Sequence, residues 1–139
     1  MAAGVVVVGL AIYFAGDTTR GFGKKTHTGT DGDVKYIVLV PGDYTADHLF
    51  PVILFLHGAA EGGTDGKKPA VVGLGKAIRD KHEKFPFIAV FPQSQTGGWE
   101  ADGVEGKRAM AILDEVQNDD QTDKKRVYLT GLSLEAAGT

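Results

Sequence analysis

Arg126-Val127-Tyr128-Leu129-Thr130 runs straight into Gly131-Leu132-Ser133-Leu134-Glu135-Ala136-Ala137-Gly138-Thr139, and the reading of this stretch decides the fold. The first five residues are rich in β-branched and aromatic side chains and read as a strand. Gly131 permits a sharp turn, and Ala136 and Ala137 suit the opening of a helix. A serine held at such a strand-to-helix turn lifts its hydroxyl beyond the sheet, into a cleft where a base can reach it. The N–H of the next residue, Leu134, then points toward the negative charge that would form on a carbonyl oxygen attacked by Ser133.

Working outward, the segments upstream supply the sheet that such a turn needs. Val34–Val40 reads as a strand ended by Pro41-Gly42, and Pro51–Leu56 is continuously apolar, as a central strand covered on both faces should be. From about Pro69 to Lys84, Val71, Leu74 and Ile78 follow helical spacing. Phe87–Phe91 reads as a further buried strand stopped by Pro92. From Asp102 to Asn118, Ala109, Ile112, Leu113 and Val116 form one apolar stripe at i, i+3, i+4 and i+7. Buried strands alternating with amphipathic helices predict a mostly parallel sheet with right-handed crossovers and helices on both faces, a three-layer αβα arrangement. Asp17–Asp33 is polar and rich in Gly and Thr, so it reads as a loop or an edge hairpin. The organisation is one globular domain over 34–139, preceded by an apolar segment and a loop or edge strand over 1–33.

Bulk numbers narrow the chemistry. The chain has 139 residues, enough for one domain with a core that buries roughly two-thirds of the unfolded surface. A hydrophobic fraction of 42% and a charged fraction of 24% are those of an ordinary globular protein, whereas 20 glycines announce many turns and close backbone approaches. The net charge of −3 and the absence of a basic stripe give no surface for nucleic-acid phosphates. With no cysteine there is neither a disulfide framework nor a thiolate metal site.

Several motifs in order carry a resemblance. Val127–Thr130 followed by Gly131-Leu132-Ser133 and then Gly138-Thr139 resembles the elbow of the carboxylesterase, phospholipase and feruloyl-esterase-like branch of the α/β-hydrolases, usually G-L-S-M-G-G-x-G-T. Pro51–Leu56 with His57-Gly58-Ala59-Ala60-Glu61-Gly62-Gly63 resembles that branch's strand and oxyanion loop, and Phe87–Gln93 followed by Trp99 resembles its next strand and pocket-side loop. The match spans about Lys35 to Thr139. The resemblance implies a serine hydrolase of carboxylic esters, with a small or feruloyl-type acyl group, working through an acyl-enzyme on Ser133. Ala59 and Leu134 would donate the oxyanion-hole N–H groups, and His57 and Gly58 would support that loop without acting as base. It implies no metal and no cofactor, and an ester substrate that is a small molecule or is borne on a polymer. A peptidase or a polyester depolymerase of the same fold is the nearest alternative, and a non-catalytic remnant is the alternative from another class. Trp99 either lines the acyl or alcohol pocket or caps the core.

Two departures from the family pattern matter. Position 135 carries Glu where the family carries Gly, which predicts a distorted elbow or reduced activity. The family's acid and histidine follow the serine in the chain, and no such pair follows Ser133 here. The expectation is therefore an α/β-hydrolase-like sheet truncated after the nucleophile elbow, unable to hydrolyse esters alone, with an exposed edge at the Tyr128 strand through which copies self-associate.

The remaining features have plainer readings. His27, His48 and His82 lie in polar stretches and read as surface residues. Asp43, Asp47 and His48 are spaced irregularly in a turn-like segment and read as a solvated loop rather than a metal site. Asp119, Asp120 and Asp123 lack the glycine and glutamate of a calcium loop. Gly58–Gly63 lacks the Gly-Lys-Ser/Thr ending of a phosphate loop. Val71–Gly75 reads as a helix segment weakened by its glycines. Ala2–Ala15 has the length of a signal h-region but no preceding Lys or Arg, and its four valines equally suit a buried strand, so export and a cytoplasmic site both stay open.

Overall fold

The computed structural model describes residues 22–42, 44–45, 47–79, 81, 85–119 and 121–132. The strands are β1 (Phe22–Gly29), β2 (Gly32–Leu39), β3 (Phe50–Leu56), β4 (Ile88–Pro92) and β5 (Thr122–Gly131), and the helices are α1 (Gly73–Arg79) and α2 (Val104–Asp119). Single 3₁₀ turns occupy Ala59–Glu61 and Lys68–Ala70.

The five strands form one sheet in the order β1-β2-β4-β3-β5. β2 runs antiparallel to both β1 and β4, while β3 is parallel to β4 and to β5. Four strands thus point one way and β2 alone is reversed. The polar segment before Asp33 is an edge hairpin rather than a loop, paired with β2 from Phe22↔Leu39 to Gly29↔Gly32.

Two crossovers place the helices. β3 reaches β4 through α1, and the chain then returns past β3 to β5 through α2. Successive crossovers in opposite directions put α1 and α2 on opposite faces when handedness is conserved. The core divides accordingly. On one face Ala109, Ile112, Leu113 and Val116 of α2 pack with Val34, Tyr36, Val52, Leu54 and Val90. On the other, Ala70 and Ile78 pack with Ile37, Leu39, Phe55, Ala89 and Phe91. The stripe on α2 was legible from its spacing because each of its four apolar residues is buried.

The first helix departs from the expected span. Within the described residues it covers only Gly73–Arg79, and Val71 lies before it and is exposed. The glycines there do not simply weaken a helix. A Cβ on Gly75 would fall 2.3 Å from the Ala70 carbonyl oxygen, so this position needs glycine for the helix to sit against the preceding 3₁₀ turn. The apolar run Ala2–Ala15 lies outside the described residues.

Candidate active site

Three loops leave the carboxyl ends of three adjacent parallel strands, the position where open α/β sheets bind their ligands. β3 ends at Leu56 and passes into His57, β4 ends at Pro92 and passes into Gln93, and β5 ends at Gly131 and passes into Leu132. Gly131 lies opposite Leu56 in the parallel ladder, and the Leu132 N–H donates to the Leu56 carbonyl at 3.1 Å. The residue preceding Ser133 is therefore fixed beside the residue preceding His57. Ser133, Leu134 and Glu135 themselves lie outside the described residues.

His57 is fully buried, and both ring nitrogens are committed. The Ser94 N–H donates to Nε2 at 2.9 Å, so Nε2 presents a lone pair and the ring proton sits on Nδ1. That Nδ1–H donates to the Gly58 carbonyl at 2.6 Å. The His57 carbonyl accepts from the Trp99 indole N–H at 3.0 Å, and the two rings meet edge to face at 4.9 Å. Trp99 is itself 7% exposed and belongs to the core on the α2 face. One buried imidazole thus joins the ends of β3 and β4 and holds the Gly58 peptide plane.

After Gly58 the chain makes its 3₁₀ turn, with the Glu61 N–H donating to Gly58 O and the Gly62 N–H to Ala59 O. The first N–H groups of a helical turn have no partner inside it. Among the described residues no acceptor takes the Ala59 N–H, and Ala59 is exposed.

A second loop braces the first. The Gly63 N–H donates to Ser94 O at 2.9 Å, and the Gln93 amide donates to Glu61 O at 2.9 Å and to Asp65 Oδ1 at 3.0 Å while its Oε1 accepts from the Gly66 N–H at 2.6 Å. Ser94 Oγ donates to Gly98 O and accepts from the Gly97 N–H, both at 2.9 Å. Gly97 has φ +87°, and a Cβ there would lie 3.2 Å from Ala59 O; a Cβ on Gly62 would lie 3.0 Å from Gly97 Cα. The two loops touch backbone to backbone, and neither position has room for a side chain. The Asp65 carboxylate accepts from the Lys67 and Lys68 N–H groups. These bonds, with Lys67 N–H foremost and Lys68 N–H and the Gln93 amide adding to it, hold its carboxyl below the usual carboxylate range against the opposing effect of desolvation.

Gln93, Ser94 and Gly97 escaped the sequence reading as site residues. Their signal was present: a polar run, Gln93-Ser94-Gln95-Thr96, directly after a strand whose five residues are all buried.

The other histidines sit elsewhere. His27 on β1 contacts Glu115 of α2 at 2.9 Å, His48 packs its edge on Phe50 at the start of β3, and His82 lies outside the described residues. Asp119 pairs with Lys25, and Asp123 caps the Lys125 N–H and binds Arg126. Asp43 and Asp120 lie outside the described residues, among which no three His, Asp or Glu side chains converge as a metal site would require.

No family model matches the chain, and no curated protein matches it. Solved structures do. A thermostable esterase is 22% identical and superposes with a TM-score of 0.68 over 86% of this chain and 36% of its own. FphF, a fluorophosphonate-binding serine hydrolase of Staphylococcus aureus, is 13% identical with a TM-score of 0.66 over 85% of this chain and 49% of its own. A ferulic acid esterase from the anaerobic fungus Anaeromyces mucronatus is 16% identical with a TM-score of 0.55 over 87% of this chain and 52% of its own. The chain spans between about a third and about half the length of these structures. With the strand order β1-β2-β4-β3-β5, one reversed strand, helices divided between the faces and loops gathered at the carboxyl ends of β3, β4 and β5, the described residues carry the α/β-hydrolase fold of these esterases and serine hydrolases.

Proposed function

We propose that this chain carries the nucleophile and oxyanion-hole portion of a serine hydrolase acting on carboxylic esters. The supporting observation is the Leu132 N–H bond to Leu56 O at 3.1 Å, which ties the approach to Ser133 to the strand that opens into His57-Gly58-Ala59. In this reading the Ser133 hydroxyl attacks the ester carbonyl carbon, a base takes its proton, and the tetrahedral oxyanion accepts N–H groups of Ala59 and Leu134. Collapse expels the alcohol and leaves the acyl group on Ser133; water then releases the acid by the same steps. His57 and Gly58 hold the loop, with Gln93 and Ser94 behind them. His57 is not the base, since Ser94 N–H occupies Nε2 and Nδ1–H is bound to Gly58. The base and its acid partner come from outside the described residues. The acyl group is small or of the feruloyl kind, and burial of Trp99 against the core favours its capping role over a place in the pocket.

A fluorophosphonate probe and a chromogenic short-chain ester, each applied to the parent chain and to Ser133→Ala, test the reading. Labelling of the parent alone supports an activated serine, and turnover abolished by the substitution supports the esterase. No labelling and no turnover in either protein favours the non-catalytic reading instead. Ala59→Pro isolates the oxyanion donor, because proline removes only the N–H and is suited to the first position of a helical turn after an extended residue. Probe labelling or turnover at Ser133 should fall by on the order of 10²-fold, with the fold intact by circular dichroism.

A further inference from the structure

We propose that the cavity between the β1–β2 hairpin and the Asp65-Gly66 loop is a binding site for a phosphate group, held by Lys24, Lys25 and Lys35. The inference stands apart from the esterase reading, since it uses neither the oxyanion loop nor the elbow.

Strand register gathers the charge. In the antiparallel pair Thr26 lies opposite Lys35, Lys25 opposite Tyr36 and Lys24 opposite Ile37. Opposite residues point to the same face, and so do residues two apart on one strand. Lys24, Thr26 and Lys35 therefore share a face, and the two lysines are diagonal neighbours about 7–8 Å apart. Like charges at that spacing repel, and an anion between them removes the repulsion. Lys25 also borders the cavity, while its ammonium pairs with Asp119 at 3.2 Å and lies 5.9 Å from the centre of the Tyr36 ring.

The wall facing the hairpin is fixed in advance. Gly66 is buried with φ +67°, and a Cβ there would fall 2.7 Å from Lys35 Cβ, so the loop backbone rests on the lysine stem where no side chain fits. The Gly66 N–H donates to Gln93 Oε1, and the Asp65 carboxylate accepts from the Lys67 and Lys68 N–H groups. Lys35, held at the base of its stem, forms no ion pair among the described residues.

Size and charge select the ligand. The cavity holds about 260 Å³, below the roughly 300–1,000 Å³ of pockets that enclose a drug-sized molecule, so it takes a small group. Three lysines against the one carboxylate of Asp65 leave the lining with a net charge of +2. A phosphate monoester carries about −1.5 to −2 at neutral pH and matches it. No arginine lines the cavity, and lysine ammonium groups act as point charges that suit a tetrahedral ion better than a planar carboxylate. The Thr26 hydroxyl supplies a further donor.

Titration of the full chain with inorganic phosphate, followed by calorimetry and by amide chemical shifts, tests the site. Saturable binding with a dissociation constant on the order of 1 mM should shift the Thr26, Lys35 and Gly66 amides. Lys35→Gln keeps the base of the stem and should weaken binding by on the order of tenfold, whereas Lys124→Gln, on β5 at the opposite edge, should leave it unchanged. Asp65→Asn removes the one negative charge of the lining and should tighten binding about threefold, which a purely structural role for Asp65 does not predict. Tighter binding of glycerol phosphate than of inorganic phosphate assigns the site to a phosphate borne on a larger molecule, and equal or weaker binding assigns it to the free ion. No saturation up to about 20 mM phosphate overturns the proposal. Acetate binding as tightly as phosphate, or equal weakening by Lys35→Gln and Lys124→Gln, also overturns it. Should Lys35→Gln fail to fold, Lys24→Gln carries the same expectation and decides.

Discussion

Asp65 is the residue where local electrostatics and loop geometry meet. Its carboxylate caps two backbone N–H groups and receives the Gln93 amide, which in turn holds Glu61 O. Because those donors bind the ionised form, its folded-state pKa is depressed. A depressed carboxylate contributes stability that is present above its unfolded value and lost as pH falls through the folded value. Asp65→Asn should therefore be less stable than the parent at neutral pH, and the difference should shrink and vanish as the pH falls through and below the lowered pKa of the folded state. Urea midpoints taken across that range check it, and a pH-independent difference would show that the carboxylate charge plays no part. Asp65 is mostly exposed, so the effect belongs with weak, solvent-screened interactions. His57 differs in kind. Both its nitrogens are bonded inside the protein, and removing the ring would strand the Ser94 N–H.

At the scale of elements, α1 shows tertiary contact overriding propensity. Gly→Ala inside an exposed helix normally gains about 1 kcal/mol. Gly75 is buried, and an alanine Cβ would lie 2.3 Å from Ala70 O, a contact with backbone that no side-chain rotation relieves. Gly75→Ala should thus destabilise by about 1–3 kcal/mol, the opposite sign to the propensity argument, as read from the urea midpoint. The loops after β3 and β4 show the same logic. Gly62 and Gly97 are close because the two loops are braced through Gln93 and Ser94, and the brace works only if the backbones can touch.

For the whole molecule, the sheet separates two apolar clusters that share its strands. Ile112 of α2 is fully buried on one face, and Ile78 of α1 is nearly so on the other. Ile112→Ala should cost about 2–5 kcal/mol, and Ile78→Ala a similar amount. β2 and β4 contribute residues to both clusters, so each substitution should shift one common unfolding transition rather than split it. Thermal unfolding followed by near- and far-ultraviolet circular dichroism checks this, and two separated transitions would show the faces to be independent. Among the described residues, β1 carries lysines and ion pairs along its outer edge, with Lys25 bound to Asp119 and His27 to Glu115.

Periodicity and punctuation within the sequence were enough to find the strands from β2 onward, the apolar stripe of the second helix, and the mixed-layer architecture, because burial of a repeating face is a local signal. The motifs after β3 and β4 likewise pointed to two loops that the structure brings into contact, while Ser133 lies outside the described residues. Tertiary structure alone decided that β4 inserts between β2 and β3, that the segment before Asp33 is a paired strand, and that His57 binds Ser94. It also showed that Gln93 and Gly97 shape a loop some thirty residues upstream of them. Those facts depend on which backbone groups meet across large sequence separations, and no short-range pattern of side chains encodes that partnership.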